Sequence, residues 1–419
     1  MSAQTRWLIL ADDLTGAADC GIAFAKHGGS VEVIWSEAAP AGSSAKADVL
    51  AVDVDSRALG PVDAAARHVA AQRAHVSPQT RLYKKIDSTL RGQPAAELAA
   101  QLAALAQAGR APFAIVAPAF PAAGRVTLGG RVVVNGDPLE ETPLWARDHT
   151  YANASLPDIL ASNGVSAEVA TLAEVRAGVG ALASRMRAAR ARGAAALVCD
   201  CIALSDLDAV AEASLQLDDV VWVGSAGLAV ALARLTAAAN AGPAPAPTRA
   251  GAALVVVGSA ADASRMQARA LVESGRVIHL VVSPQTLQSG PTSALWRDAA
   301  AALAQGLRDG RDTLLQIDET APVDLAQGAA LAASLAELAS QAGSAIGALV
   351  LTGGETARAM LIRLGLHGIR LIDEVEAGVP LGVSVGVREI PVVTKAGAFG
   401  GADTLHRCLD RLHSLEKAG

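Results

Sequence analysis

Trp7-Leu8-Ile9-Leu10-Ala11-Asp12-Asp13-Leu14-Thr15-Gly16-Ala17-Ala18-Asp19 is an apolar run that halts at two adjacent carboxylates. The run reads as a buried strand. Thr15-Gly16 then opens a helical pattern that continues to about Lys26. Strand, acidic turn and helix N-terminus thus follow within a dozen residues. In open α/β sheets ligands bind just outside the carboxyl ends of the strands. Two carboxylates there serve either chemistry or helix capping, since Asp is a favoured N-cap.

The same grammar repeats along the chain. Strands are expected at Val31–Trp35, Val49–Val54, Arg81–Ile86, Phe113–Ala117, Ala195–Cys201 and Val220–Val223, with helices between them. One helix is expected over Ala173–Arg192. Gly129-Gly130 between Arg125–Leu128 and Arg131–Val134 is a two-residue hairpin signal, and the region from Asn135 to about Leu160 reads as irregular. Ala237–Gly251, with Pro243, Pro245 and Pro247, cannot continue a helix and reads as a semi-stiff linker. A second alternation then runs from Ala253 to a terminal helix near Asp403–Leu415. The expected fold is α/β: two doubly wound, mostly parallel-sheet domains with a cleft between them. The boundaries fall at 1–240 for the first domain, 241–251 for the linker and 252–419 for the second.

Composition narrows the function classes. With 419 residues, 52% hydrophobic and 18% charged, the chain is long and apolar enough for more than one core. A formal charge of −6, without a basic patch interleaved with aromatics, argues against nucleic acid. No apolar stretch is long enough to span a bilayer and no signal peptide is legible, so a cytoplasmic enzyme is expected. The four cysteines are too scattered for a disulfide framework. Cys199-Asp200-Cys201 lacks the companions of a metal site and reads as small buried residues. There is no Walker A loop, because the chain contains no Gly-Lys dipeptide. Gly178-Val179-Gly180-Ala181-Leu182-Ala183 matches a dinucleotide fingerprint in letters only and is discarded. His149 and His279 read as surface or packing residues.

Polar groups collect at the strand ends of the first half: Asp12-Asp13, Asp55-Ser56-Arg57, Lys84-Lys85-Ile86-Asp87-Ser88-Thr89-Leu90-Arg91-Gly92, and Gly224-Ser225. The chain has six lysines, and two of them adjoin one strand end. Alternation puts Lys85 and Asp87 on one face. Arg57 and Arg91 add planar forks suited to a carboxylate. The ensemble describes an anion-accepting pocket with a candidate base. The second half instead offers glycine turns after strands and before helices: Gly258-Ser259, Thr352-Gly353-Gly354-Glu355-Thr356, and Lys395-Ala396-Gly397-Ala398-Phe399-Gly400-Gly401. Such turns let backbone approach a ligand and aim N–H groups at anions. A phosphoryl transferase divided between the two halves fits, because that chemistry needs mainly positioning and charge neutralisation.

The motifs Ala11–Ala17, Lys84–Gly92, Thr352–Thr356 and Lys395–Gly400, in that order, resemble those of the four-carbon acid sugar kinase family. The resemblance covers nearly the whole chain. It implies an N-terminal sugar-acid domain, a C-terminal ATP-binding domain, and Mg²⁺-dependent phosphorylation of a C4 acid at its terminal hydroxyl. It further implies that Asp12, Arg57, Lys85, Ile86, Asp87, Ser88 and Arg91 contact the acid. Ser259, Gly353, Gly354, Glu355, Thr356, Gly397 and Gly400 would hold ATP. Asp12 is the expected base, with Asp87 second. Arg57 with Lys85 or Arg91 would grip the carboxylate, and domain closure would bring the γ-phosphate across. The Lys84–Gly92 loop looks more like that of D-threonate kinases than the Cys-Ser-Thr-Phe-Asp-Ser-Thr type of 3-oxo-tetronate kinases, with Gln93 where Asn is expected. D-erythronate and 3-oxo-tetronate are the rival substrates, and a non-catalytic sugar-acid sensor is the rival of another class. Sugar acid and ATP are the expected partners, metal ligands are unassigned, and a homodimer is left open.

Overall fold

The computed structural model describes residues 6–35, 47–148, 151–236, 248–249, 251–258, 261–318 and 328–415. The chain divides into two compact units. One comprises Met1–Val31 with Gly42–Ala241, the other Glu32–Ala41 with Gly242–Gly419. Ser259, His149 and most of the 241–251 linker lie outside the described residues.

The strands run in chain order as β1 (Arg6–Ala11), β2 (Val31–Trp35), β3 (Val49–Asp53), β4 (Thr80–Lys85) and β5 (Phe113–Ala117). A small antiparallel sheet follows, formed by β6 (Arg125–Leu128), β7 (Arg131–Val134) and β8 (Asp137–Pro138). Then come β9 (Ala167–Ala170), β10 (Ala196–Cys199) and β11 (Val220–Gly224). In the first unit these build a parallel array in the order β3-β1-β4-β11-β5-β10-β9. Residues such as Ile9, Leu10, Val52, Leu82, Ile115 and Val198 are wholly or almost wholly buried. Continuous apolar strands of this kind are what a sheet covered on both faces requires. Trp7 closes one end of the array, packing on Phe24 and Trp222 at 5.3 and 5.0 Å between centroids.

The second unit contains β12 (Ala253–Val257), β13 (Ile278–Val282), β14 (Thr313–Ile317), β15 (Ala348–Thr352), β16 (Leu366–Glu376), β17 (Val379–Gly386) and β18 (Pro391–Lys395). Their order is β13-β14-β12-β15-β18-β17-β16, parallel through β18 and antiparallel thereafter. The terminal helix Thr404–Leu415 buries Leu405, Cys408, Leu409, Leu412 and Leu415 in the core with Val255, Val350 and Val393. Its apolar residues recur every three to four positions, which is the pattern of a helix with one buried face.

Two local readings of the sequence require correction. The single helix expected over Ala173–Arg192 is two, Leu172–Val175 and Val179–Ala191. Gly178 separates them at φ +101°, a conformation only glycine adopts readily. β9, which precedes them, was not anticipated, since Ala-Glu-Val-Ala is short and mixed in polarity. Among the described residues no helix is long and apolar enough to cross a membrane.

Candidate active site

Because β3, β1 and β4 are adjacent and parallel, their carboxyl ends deliver Asp55–Arg57, Asp12-Asp13 and Ile86–Gly92 to one edge of the first unit. The two aspartates at the end of β1 divide their tasks. Asp13 caps the helix Leu14–Lys26: its Oδ1 accepts from the Gly16 amide at 2.9 Å and its Oδ2 from the Thr15 hydroxyl at 2.7 Å. Asp12, 3% exposed, turns to Arg57. Arg57 donates from Nε to Asp12 Oδ2 at 2.7 Å, from Nη2 to Asp12 Oδ1 at 2.9 Å, and from Nη1 to Asp13 Oδ2 at 2.7 Å. Three of its five N–H groups are thus committed to these carboxylates.

The turn that carries Arg57 is tightly held. The Ser56 and Arg57 amides both donate to the Asp12 carbonyl, at 3.0 and 3.2 Å. Asp55 adopts φ +54°, and Arg67 clasps its carbonyl at 2.9 Å and its carboxylate at 3.1 Å. A non-glycine residue in the left-handed region persists only where its surroundings over-determine it.

Alternation along β4 sends Lys84 and Lys85 to opposite faces. Lys85 is 5% exposed and lies against the start of the first helix; a Cβ on Gly16 would fall 2.7 Å from its Nζ. Among the described residues it makes no ion pair within 4.0 Å. Burial opposes its charge, but Asp12, Cys20 and Asp13 hold its pKa above the usual lysine value. Asp87 accepts from the Thr89 hydroxyl, from Arg91 Nε at 2.9 Å and from Arg91 Nη2 at 3.1 Å. Burial alone would raise its pKa; Arg91, Arg57 and Lys85 instead hold it well below the carboxylate range. The loop then folds back on Asp12. Leu90 is buried at φ +62°, and a Cβ on Gly92, at φ +81°, would stand 3.1 Å from Asp12 Oδ2. Ser88 is buried in this loop, and the Ile86 amide donates to the Gly224 carbonyl at 2.9 Å. Asp12, Arg57, Lys85, Ile86, Asp87, Ser88 and Arg91 therefore share one edge.

Sequence reasoning missed several supporting residues. Lys84 is fully buried and pairs with Glu97 at 2.5 Å, while Glu97 also accepts from Ser56 Oγ at 2.8 Å. Arg125 of β6 sits in the field of Asp87 and Arg91, with burial lowering its pKa. Asp200, read only as a spacer between cysteines, accepts from the Gly129 and Gly130 amides at 2.8 Å each and so pins the hairpin turn. Its neighbours Cys199 and Cys201 are buried, and desolvation pushes both thiols up, Cys199 to about 12. Among the described residues no group of three His, Cys, Asp or Glu is placed to hold a metal. His279 bonds Gln316 at 3.1 Å, a packing role.

In the second unit β12, β15 and β18 are neighbours, so their glycine turns also meet at one edge. A Cβ on Gly258 would lie 2.2 Å from Thr356 Oγ1, so only glycine allows this approach. Gly353, at φ +91°, caps the helix Gly354–Arg363 and donates its amide to the Lys395 carbonyl at 2.9 Å. Glu355 lies in that helix's first turn. Gly400, at φ +86°, leaves room for Thr404, whose hydroxyl donates to Glu376 at 2.5 Å. Lys395 points beneath the turn: it is 1% exposed and donates to Ser264 Oγ at 3.5 Å. Ser264 in turn donates to the Gly397 carbonyl at 2.6 Å, and Gln267 to that of Phe399 at 2.9 Å. Burial pushes the Lys395 pKa down to about 8. The close-approach glycines and the open first turn of a ten-residue helix are features that fit a polyphosphate.

A family model described as a sugar-binding N-terminal domain matches residues 7–232, and one described as a nucleotide-binding C-terminal domain matches residues 254–405. A D-threonate kinase of Cupriavidus necator is 44% identical, over 95% of this chain and 96% of its own. Another D-threonate kinase, from Bordetella bronchiseptica, is 37% identical over 95% of each chain. A crystal structure from Salmonella typhimurium LT2, described as a putative tRNA synthase, aligns at a TM-score of 0.78 and 21% identity over 97% of this chain and 99% of its own. That last likeness is one of fold. Matched along both halves, the chain belongs to the four-carbon acid sugar kinase family and is a sugar-acid kinase.

Proposed function

We propose that the protein transfers the γ-phosphoryl group of ATP to the C4 hydroxyl of D-threonate. The observation that carries this reading is the edge where Asp12, clasped by Arg57, adjoins the uncommitted ammonium of Lys85. A small polyol carboxylate needs a cation for its carboxyl group and a carboxylate near the hydroxyl that reacts. Lys85 is the cation, since Arg57 and Arg91 already bind protein carboxylates. Asp12 accepts or orients the hydroxyl proton: each of its oxygens takes one N–H from Arg57 and retains further acceptor capacity. Asp87 is too well stabilised as an anion to serve as a base and acts instead to hold Arg91 and the loop.

The triphosphate is assigned to the turns at Gly258, Gly353–Thr356 and Gly397–Gly400 of the second unit. Mg²⁺ would enter with the nucleotide, neutralising charge on the phosphates and coordinated mostly by phosphate and water. D-threonate is favoured as acceptor because relatives carrying that name are 44% and 37% identical, against 30% for a D-erythronate kinase and 31% for a 3-oxo-tetronate kinase over a similar share of the chain. The test is ADP release from ATP and Mg²⁺ with D-threonate, D-erythronate and 3-oxo-tetronate in parallel. Turnover preferring D-threonate is expected. Turnover confined to another acid would reassign the substrate, and none with any would sink the reading.

A further inference from the structure

Behind the Asp12–Arg57 pair, on the opposite face of β4 from Lys85, lies a buried polar cluster that no catalytic step uses. Lys84 and His68 are 0% exposed, Ser56 0% and Glu97 1%. Glu97 is its centre. One oxygen takes the Lys84 ammonium at 2.5 Å and lies 3.3 Å from His68 Nε2; the other accepts from Ser56 Oγ at 2.8 Å. Ser56 also lies 3.1 Å from His68 Nε2. Pairing Lys84 with Glu97 costs the hydration of both groups, and a buried ion pair is weak evidence for stability in itself. Its geometry gives it another use.

Glu97 belongs to the first turn of the helix Pro94–Gln107, which begins directly after the Asp87–Gly92 loop. Ser56 belongs to the Asp55–Arg57 turn after β3. One carboxylate therefore ties together two segments distant in sequence, each carrying side chains to the same edge. The turn needs such a tie. It contains the left-handed Asp55, and each of its residues has its own anchor: Arg67 for Asp55, Glu97 for Ser56, and Asp12 with Asp13 for Arg57.

We infer that Glu97, acting through Ser56, is a positioning residue that sets the Arg57 fork on Asp12 and locks the Ser56–Arg57 turn to the Asp87–Gly92 loop. This rests on the reading that Asp12 faces the sugar acid. Ser56→Ala is the discriminating variant, because it leaves Lys84, Glu97 and His68 in contact with one another and removes only the bonds by which the Ser56 hydroxyl joins the turn to Glu97 and His68. Two quantities are measured: steady-state ADP release, and hydrogen exchange at the Arg57 Nε–H by NMR. The KM for D-threonate is expected to rise roughly ten-fold with the KM for ATP within about two-fold. Exchange at Arg57 should quicken by a similar factor, and Ser56→Thr, which keeps the hydroxyl, should restore both. Ser56→Cys, nearly isosteric with a weaker donor, gives the same readouts if Ser56→Ala folds poorly. A folded Ser56→Ala with unchanged acid KM and unchanged Arg57 exchange overturns the inference, even if its Tm falls. Should the wild-type chain release no ADP with any acid, the kinase reading fails instead, and the exchange rates decide the positioning role by themselves.

Discussion

Arg57 and Asp12 are joined by two parallel hydrogen bonds, 2.7 and 2.9 Å long, and the remaining Nη of Arg57 reaches the helix cap Asp13 at 2.7 Å. A planar fork can span two carboxylates in this way, whereas an ammonium cannot. Burial works against the charge of Arg57, yet Asp12, Asp13 and Asp87 hold its pKa well above the ordinary value. Arg57→Lys is therefore expected to lower kcat/KM for the four-carbon acid by about 100-fold while sparing the KM for ATP. Steady-state kinetics with each substrate varied in turn provide the check.

The two candidate bases separate under isosteric substitution. Asp12→Asn should reduce kcat by ~10²–10⁴-fold, the usual worth of a positioned base. Asp87→Asn should act mainly on the acid's KM, because it loosens Arg91 and the loop. Single-turnover rates of both variants decide the matter; the reverse ranking would transfer the base to Asp87.

Gly258 lies in the second unit against Thr356. In Gly258→Ala the added methyl carbon would sit 2.2 Å from Thr356 Oγ1, which no side chain tolerates without displacement. The expected result is a KM for ATP raised by roughly ten-fold, with the acid's KM unmoved. Equal effects on both substrates would contradict the assignment of this turn to the nucleotide.

Acid sensitivity should trace to His68. Burial, reinforced by Lys84, pushes its imidazole pKa down to about 3. The unfolded chain takes up that proton near the ordinary value of about 6.5, so below this pH the unfolded state binds more protons than the folded one. The His68 contribution is complete above about pH 6.5 and declines as the pH falls toward 3. At pH 5.5 the loss is about 1.4 kcal/mol. His68→Gln should flatten the dependence of Tm on pH between about 6.5 and 5, measured by calorimetry beside the wild type. Parallel curves would place the sensitivity elsewhere.

Much of this architecture is legible in residue order, for reasons that differ by element. Strand ends were readable because an apolar run stops abruptly at Asp12 and strand patterns give way to polar clusters at Asp55–Arg57 and Asp87–Thr89, and parallel pairing then brings those stops to one edge. The division between Asp12 and Asp13 was also foreseeable, since Thr15 and Gly16 stand where a cap needs its donors. Glu97 was not readable. A glutamate in a first helical turn is ordinary for the helix dipole, and its partners Ser56 and Lys84 are 41 and 13 residues away. Lys395 opens a glycine turn in the sequence, but the Ser264 hydroxyl, 131 residues away, holds it beneath that turn. Asp200 was hidden by the two cysteines beside it, because sequence inspection weighs thiols before carboxylates.

Lys84 and Lys85 follow one another on β4, and the first anchors the scaffold through Glu97 while the second lies on the opposite face, in the field of Asp12 and Asp13. The strand thus encodes two tasks in its even and odd positions. A deletion or insertion of one residue in β4 would exchange the two faces: the ammonium that pairs with Glu97 would turn to the Asp12 side, and the one beside Asp12 would turn to the Glu97 side. The parity of the residues in β4, from Thr80 to Lys85, is therefore a requirement of both faces at once.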